Sequence, residues 1–144
     1  MSDKSKRVVY TPMLVAVYGT LKRGLSNHHL MQSAQYLGED YLDSITLYDL
    51  GPYPGAKAEL SAGIVIEVYA VDALQLGVLD ELEDYNAAAP EQGMYNRKLF
   101  PTKFGEAWVY LYNAAVDGLS AQRRGSWLPG QAHVLQASTG AKQE

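Results

Sequence analysis

The sequence predicts an α+β fold that combines several strands with one long helix. Runs rich in β-branched and aromatic residues, which are typical of strands, occupy 13–18, 63–71, 95–100 and 107–112. Segment 72–84 instead repeats leucine and valine at helical spacing. The chain has 144 residues, of which 47% are hydrophobic and 19% charged, a size and balance typical of one folded domain. We therefore expect a single domain over 8–135, with flexible tails at 1–7 and 136–144.

Composition also narrows the classes of function. The formal net charge is −4 and no basic face stands out, so we expect neither nucleic acid nor a membrane as partner. The apolar run at 13–18 is too short for a signal segment or a spanning helix, which favours a cytoplasmic protein. The chain has no cysteine, and His28 and His29 lack a ligand partner four residues on. We expect no metal site.

Segment 15–24 is the first candidate for function. A buried strand ends abruptly at Gly19, and a second glycine, Gly24, closes a tight loop after it. Such a loop leaves several backbone N–H groups unpaired and converging on one point, which suits a carboxylate, a phosphate or a developing oxyanion. The alternative is an ordinary strand exit whose amides meet water, and the local sequence leaves it open.

Further elements are predicted between this loop and the long helix. Segment 26–32 is typical of a short helix, with Ser26 as its N-cap. Segment 34–48 predicts two strands divided near 38–43. Segment 49–55 is dense in glycine, proline and aspartate and predicts a structured turn.

The long helix has a clear beginning and a predicted buried face. Asp72, followed by Gln75 three residues later, resembles a capping box. The expected buried stripe recurs at helical spacing and consists of Leu74, Val78, Leu79 and Leu82.

Four carboxylates follow near the end of this helix. The helical wheel places Asp80 and Asp84 opposite the apolar stripe, where solvent reaches them. Glu81 and Glu83 fall on the two flanks of the stripe, where a carboxylate can reach a cavity beside the core. Periodicity does not choose between these two.

Glu83 has one further feature, its position in the last turn of the helix. The negative end of the helix dipole and the neighbouring acids both oppose its ionisation, so its pKa should rise. A carboxyl group that titrates closer to neutrality is suited to general acid/base catalysis. A surface glutamate at a helix end is the alternative.

The order of motifs along 14–112 is more specific than any one of them. The chain carries VYGTLK at 17–22, LYDLG at 47–51, EVY at 67–69, LDELE at 79–83, YNR at 95–97 and AWVY at 107–110. With this ordered set, the sequence resembles the gamma-glutamylcyclotransferase-like family. The resemblance implies a compact, mixed β-barrel with flanking helices and a cavity at its mouth.

The resemblance also implies a site and a reaction. Glu83, the last residue of the Leu-Asp-x-x-Glu pattern, would be the catalytic acid/base. The substrate's glutamyl part would be bound by residues Tyr18, Gly19, Thr20, Leu21 and Tyr95. In the implied reaction, the free α-amine of a γ-glutamyl group attacks its own γ-amide carbonyl and yields 5-oxoproline and a free amine. This chemistry needs no cofactor, metal or thiol.

Two departures and two other interpretations accompany the resemblance. Asp84 stands where the family often has glycine, and the connection 84–94 is longer than in many members. A non-catalytic module would bind small acidic metabolites in the same cavity, using the loop amides with Tyr95 or Arg97. A nucleotide phosphate loop at 19–23 is a weaker interpretation because the P-loop spacing is missing. Arg97 either recognises a substrate carboxylate or pairs with an acid, and we keep it outside the catalytic set.

Overall fold

The computed structural model describes residues 12–129. Within this range lie one α-helix, α1 (Ala73–Leu82), and two short 3-10 turns, His28–Met31 and Pro90–Gln92. The strands in the same range are β1 (Met13–Val17), β2 (Gln35–Leu42), β3 (Thr46–Asp49), β4 (Pro54–Lys57), β5 (Ile64–Val71), β6 (Tyr95–Thr102), β7 (Gly105–Tyr112) and β8 (Ala121–Gln122). The predicted tails at 1–7 and 136–144 lie outside the described residues, and the domain bounds 8–135 stay a prediction.

The strands form two separate sheets, which confirms the α+β class. The larger sheet has the order β2-β5-β1-β7-β6, and the smaller one has the order β4-β3-β8. In the larger sheet β1 runs parallel to β7, while the other neighbouring pairs are antiparallel. β1 is the central strand of this sheet and ends at Val17, opposite Glu67, while β5 extends three residues further, to Ile64.

The closed β-barrel implied by the family resemblance is wrong for residues 12–129. Closure would require β2 and β6, the two edges of the larger sheet, to pair through their backbones. The turn between β6 and β7 fills this gap instead: the Lys103 N–H donates to Asp40 (2.9 Å), and the Phe104 ring packs against Gly38. Side chains therefore join the two edges where a ladder of backbone hydrogen bonds would be needed.

Both faces of the larger sheet are covered, as the alternation along its strands requires. On one face Ile64, Ile66 and Val68 of β5 pack against the smaller sheet and Trp127. On the other face Tyr69 and other strand residues pack against α1 and the turn at His28–Met31. The loop that leaves β1 contacts both sides, because Tyr18 packs in the first cluster and Leu21 in the second.

Two local predictions differ from the structure in detail. The two strands predicted over 34–48 are present, but they separate at 43–45 and not near Gly38. Gly38 instead lies at a bulge inside β2, with a φ of 149° that favours glycine. Ser26 does not cap a helix, because the 3-10 turn begins at His28 with Asn27 before it. The Asn27 side chain is occupied elsewhere, since its amide donates to Thr20 Oγ1 (2.9 Å).

The predicted start of α1 is confirmed, but only Leu79 of its predicted buried stripe is buried. Asp72 accepts a hydrogen bond from the Gln75 N–H (2.8 Å). Leu74, Val78 and Leu82 are exposed, and the face turned to the core carries Gln75, Leu76 and Leu79. Burial of Gln75 explains the rotation, because its side chain bonds Leu30 O and the Ser33 hydroxyl in the preceding segment.

None of the helices in 12–129 is long and apolar enough to cross a membrane.

Candidate active site

A cavity of about 150 Å³ opens where β1 ends. All six residues expected at the site line it: Tyr18, Gly19, Thr20, Leu21, Glu83 and Tyr95. Further residues of its wall are Ala16, Val17, Asn27, Tyr53, Pro54, Leu82, Met94 and Tyr110. The structure thus brings together the loop after β1, the end of α1 and the start of β6.

The loop after β1 is held by hydrogen bonds to its carbonyl groups, whereas three of its backbone N–H groups remain unbonded within the described part of the chain. Lys22 N–H donates to Gly19 O (3.0 Å), and Asn27 N–H donates to Thr20 O (2.9 Å). The N–H groups of Gly19, Thr20 and Leu21 have no hydrogen-bond acceptor within residues 12–129. Three successive amides next to a cavity provide donors for an anionic group.

Gly19 is required by a close approach of two segments. A Cβ atom at this position would lie 2.9 Å from Pro54 Cδ, too close for any side chain. Pro54 lies in the predicted turn at 49–55, which is ordered by a Leu50 N–H bond to Tyr53 O (3.0 Å). Any larger residue at position 19 would push this turn, and the cavity wall that it forms, away from the loop.

The two cations of the loop serve its structure. Lys22 is buried, and its ammonium group donates to Trp127 O (2.8 Å) and to the Ser126 hydroxyl. Burial lowers the pKa of Lys22. The Arg23 guanidinium pairs with Glu67 (3.6 Å between Nε and Oε2), and the Arg23 backbone N–H donates to Glu67 Oε1 (2.9 Å). Neither side chain lines the cavity, which weighs against a phosphate loop at 19–23.

Glu83 is placed by the way in which α1 ends. It is the C-cap residue, and the next two amides bond backwards, Asp84 to Glu81 O (3.2 Å) and Tyr85 to Asp80 O (2.9 Å). This pair of bonds is a Schellman motif, whose residue after the cap adopts a left-handed conformation. Asp84 does so, with a φ of 56°. The motif explains why glycine is common at this position in the family that the sequence resembles.

The long connection after α1 folds back onto the helix end. The Met94 N–H lies 3.1 Å from both Asp84 O and Asp84 Oδ2. Gly93 packs so tightly on the Asp84 carbonyl that a Cβ atom would lie 2.0 Å from its oxygen. This fold-back places the Met94 side chain on the cavity wall.

The Glu83 carboxyl group has no hydrogen-bond partner among residues 12–129. Burial, and secondly the charge of Asp80, raise its pKa to about 7. The direction agrees with the sequence-based expectation. The dominant cause is different, since desolvation contributes more than neighbouring charge.

Asp80 does not lie in solvent, and that prediction is wrong. Arg97 binds it through two hydrogen bonds of 2.8 and 3.1 Å, and the Tyr110 hydroxyl donates to its Oδ1 (2.7 Å). The Arg97 guanidinium lies between two rings, 4.5 Å from that of Tyr85 and 4.2 Å from that of Trp108. Arg97 therefore pairs with an acid, which was one of the two predicted roles, and its side chain does not line the cavity.

Three tyrosine hydroxyl groups near Glu83 donate hydrogen bonds to other acceptors. Tyr18 donates to Tyr110 O (2.7 Å), Tyr95 donates to Pro54 O (2.9 Å), and Tyr110 donates to Asp80. Burial raises the pKa of all three hydroxyl groups. Each remains a neutral hydroxyl whose free lone pairs can only accept hydrogen bonds.

Sequence reasoning missed Tyr110 and most of the outer wall. The signal for Tyr110 was present, because Trp108, Tyr110 and Tyr112 alternate along β7 and so share one face. Leu82 and Met94 could not be recognised as cavity residues from the sequence. Leu82 was assigned to the buried face of the helix, and Met94 lies in a connection without periodicity.

Comparison with known proteins defines the family. Residues 15–129 match the family model described as gamma-glutamyl cyclotransferase, AIG2-like, and the chain belongs to this family. The gamma-glutamylcyclotransferase family protein YtfP of Escherichia coli K12 is 40% identical over 116 residues, which cover 81% of this chain and 96% of YtfP. A putative gamma-glutamylcyclotransferase of Vibrio cholerae is 42% identical over 115 residues, 79% of this chain and 94% of the relative.

A solved structure supports the same assignment. The crystal structure of an AIG2-like protein from Mus musculus is 25% identical and superposes with a TM-score of 0.68. The match covers 83% of this chain and 90% of the mouse chain.

Proposed function

We propose that this protein is a cofactor-independent γ-glutamyl cyclotransferase in which Glu83 is the general acid/base. One observation carries the proposal: a carboxyl group without a hydrogen-bond partner among residues 12–129, with a pKa of about 7, faces a cavity that also contains three free loop amides. A carboxyl group that titrates near neutrality can both accept and return a proton.

The polar groups of the cavity suit a γ-glutamyl group in one orientation. The N–H groups of Gly19, Thr20 and Leu21 are donors for the α-carboxylate or for the oxygen that becomes negative during the reaction. Glu83 and the hydroxyl oxygens of Tyr95 and Tyr110 are acceptors, which suits the α-ammonium group. The nucleophilic nitrogen would then lie beside the base.

The reaction moves two protons from the attacking nitrogen to the leaving nitrogen. Glu83 takes the first from the α-ammonium group, and the freed amine nitrogen attacks the γ-carbonyl carbon. A carbon–nitrogen bond forms, the carbonyl oxygen becomes an oxyanion, and the loop amides stabilise it. Glu83 protonates the leaving nitrogen as the original amide bond breaks. It then takes the second proton from the new ring nitrogen and passes it to the departing amine, which leaves as an ammonium ion together with 5-oxoproline. Because the nucleophile is tethered, fixing one conformation supplies much of the acceleration.

The test is an assay of 5-oxoproline formation from a panel of γ-glutamyl amines and dipeptides. Glu83→Gln keeps the shape but removes the base, and we expect it to lose about 100-fold or more in kcat. Glu81→Gln is the matched control, because Glu81 is exposed on the same helix and does not line the cavity. Equal turnover of wild type and Glu83→Gln would contradict the assignment.

The same panel distinguishes a binding module from an enzyme. A protein that forms no product, but whose melting temperature rises with γ-glutamyl compounds, would be the non-catalytic metabolite-binding module. The unpartnered state of Glu83 favours the enzyme, since a structural carboxylate in a binding module would be held by hydrogen bonds.

A further inference from the structure

The outer wall of the cavity is apolar next to the reactive carboxyl group. Leu82 immediately precedes Glu83, and Met94 is held beside the same helix end by Asp84. Both side chains line the cavity, yet they are 41% and 37% exposed, which places them at its opening. Tyr53 is half-buried and adds a ring to this wall. The residues lining the inner part, such as Tyr95, are almost completely buried.

Charge is nearly absent from the wall. Within residues 12–129, Glu83 is the only charged side chain that lines the cavity. Three cations of the surrounding elements bind other groups: Arg97 binds Asp80, Lys22 binds Trp127 O, and Lys57 binds Tyr112 O at 2.7 Å. The described part of the wall therefore contains no cation that could pair with a bound carboxylate.

An acid next to the opening makes a second carboxylate still less favourable. Asp84 is exposed, and its carboxylate accepts the N–H of Met94, a residue of the cavity wall. The glutamyl α-carboxylate can use the loop amides at 19–21, but a carboxylate on the leaving amine would meet Leu82, Met94 and the Asp84 carboxylate. Like charges brought together in this way oppose binding.

We propose that the cavity selects γ-glutamyl substrates whose leaving amine has an apolar body and carries no carboxylate. The inference rests on the proposed function and deepens it, because it concerns the other half of the same substrate. The apolar body packs against Leu82, Met94 and Tyr53, where removal from water favours binding. The absence of a carboxylate avoids an unpaired negative charge at the opening.

Matched substrates test the charge directly. γ-Glutamyl-phenethylamine and γ-glutamylphenylalanine differ only by the leaving group's carboxylate, as do γ-glutamyl-isoamylamine and γ-glutamylleucine. We expect kcat/KM for 5-oxoproline formation to be about tenfold or more higher for the amine of each pair. Equal values, or a preference for the amino acids, would overturn the inference and leave the proposed function standing. Absence of product from all four, with product from other γ-glutamyl compounds of the panel, would likewise overturn the inference, whereas absence of product from the whole panel would contradict the proposed function.

The apolar requirement has its own pair of substrates. γ-Glutamyl-isoamylamine and γ-glutamylethanolamine are both free of a carboxylate, but only the first presents an apolar body. We expect the isoamyl compound to have about a tenfold higher kcat/KM. An equal or higher value for the ethanolamine compound would overturn this half of the inference.

A variant locates the selectivity in the wall. Met94→Lys adds a cation at the opening, and we expect the preference for amine over amino acid to fall at least about fivefold, mainly through KM of the amino acid substrate. Leu74→Lys makes the same change on α1 at an exposed position outside the cavity, and its preference should equal that of the wild type. An unchanged preference in Met94→Lys would show that this wall does not select the leaving amine.

Discussion

Asp80 and Glu83 lie three residues apart at the end of one helix and have opposite surroundings. Asp80 is held by two hydrogen bonds from Arg97 and one from Tyr110. Glu83 has no hydrogen-bond partner among residues 12–129, and burial raises its pKa to about 7. A carboxylate whose charge is compensated is a structural group, whereas one that is desolvated without compensation is ready to exchange a proton.

The difference between the two acids shows that position on the helix does not decide reactivity. What decides it is which side chains the neighbouring strands supply: β6 supplies Arg97 and β7 supplies Tyr110, and both reach Asp80. Asp80 then acts on Glu83 as a fixed negative charge and raises its pKa further. The paired acid thereby favours the acid/base role that we propose for Glu83.

The largest expected effect comes from removing the partner of Asp80. Arg97→Ala leaves a carboxylate that is only 21% exposed without its cation, and also removes a guanidinium held between two rings. We expect the free energy of unfolding in urea to fall by about 3 kcal/mol. Lys98→Ala, an exposed change on the same strand, should cost little. A loss below about 1 kcal/mol for Arg97→Ala would show that Asp80 does not depend on its partner.

Removing the charge of Glu83 should stabilise the protein, in a way that depends on pH. Its folded pKa of about 7 lies above its unfolded value of 4.5, so ionisation opposes folding. The corresponding stability is complete below about pH 4.5 and is lost as pH rises through 7. The shift corresponds to about 3 kcal/mol, which we reduce to about 2 kcal/mol because the cavity is open to solvent.

Unfolding in urea at pH 5 and pH 8 measures this effect. Glu83→Gln should be more stable than wild type at pH 8 by about 2 kcal/mol, with a much smaller difference at pH 5. Glu81→Gln should follow wild type at both values. If Glu83→Gln were no more stable at pH 8 than at pH 5, relative to wild type, the carboxyl group would not be desolvated.

The smallest expected effect concerns the backbone that positions Glu83. Asp84 adopts a left-handed conformation that glycine adopts without strain, at the cost of one side-chain bond to the Met94 N–H. We expect Asp84→Gly to stabilise the protein by about 0.5 kcal/mol and to keep turnover, and Asp84→Ala to destabilise it. Thermal unfolding measures both, and a loss of turnover in Asp84→Gly would show that Asp84 does more than end the helix.

Features encoded by neighbouring residues could be predicted from the sequence. The Asp72 cap, the strand at 63–71 and the tight loop at Gly19 depend on residues close in the chain, and the structure contains all three. The residues around the cavity were predicted from the order of the motifs along the chain. Local patterns alone did not distinguish these residues from ordinary structural ones.

Features that depend on distant partners could not be predicted. Gln75 is buried because Leu30 O accepts its amide, and this turns α1 away from the leucine stripe. Asp80 is paired because Arg97 lies on a strand that begins 15 residues later. Barrel closure failed for the same kind of reason, since it depends on whether β2 and β6 pair across the fold.

A pH titration of the Glu83 side-chain carboxyl ¹³C resonance tests the central claim most directly. We expect a midpoint at about pH 7 in the wild type, and a lower midpoint in Asp80→Asn because one opposing charge is removed. The resonance of the exposed Glu81 provides an internal reference in the same spectra. A Glu83 midpoint near its ordinary value of 4.5 would contradict the account of Glu83 as a desolvated acid/base.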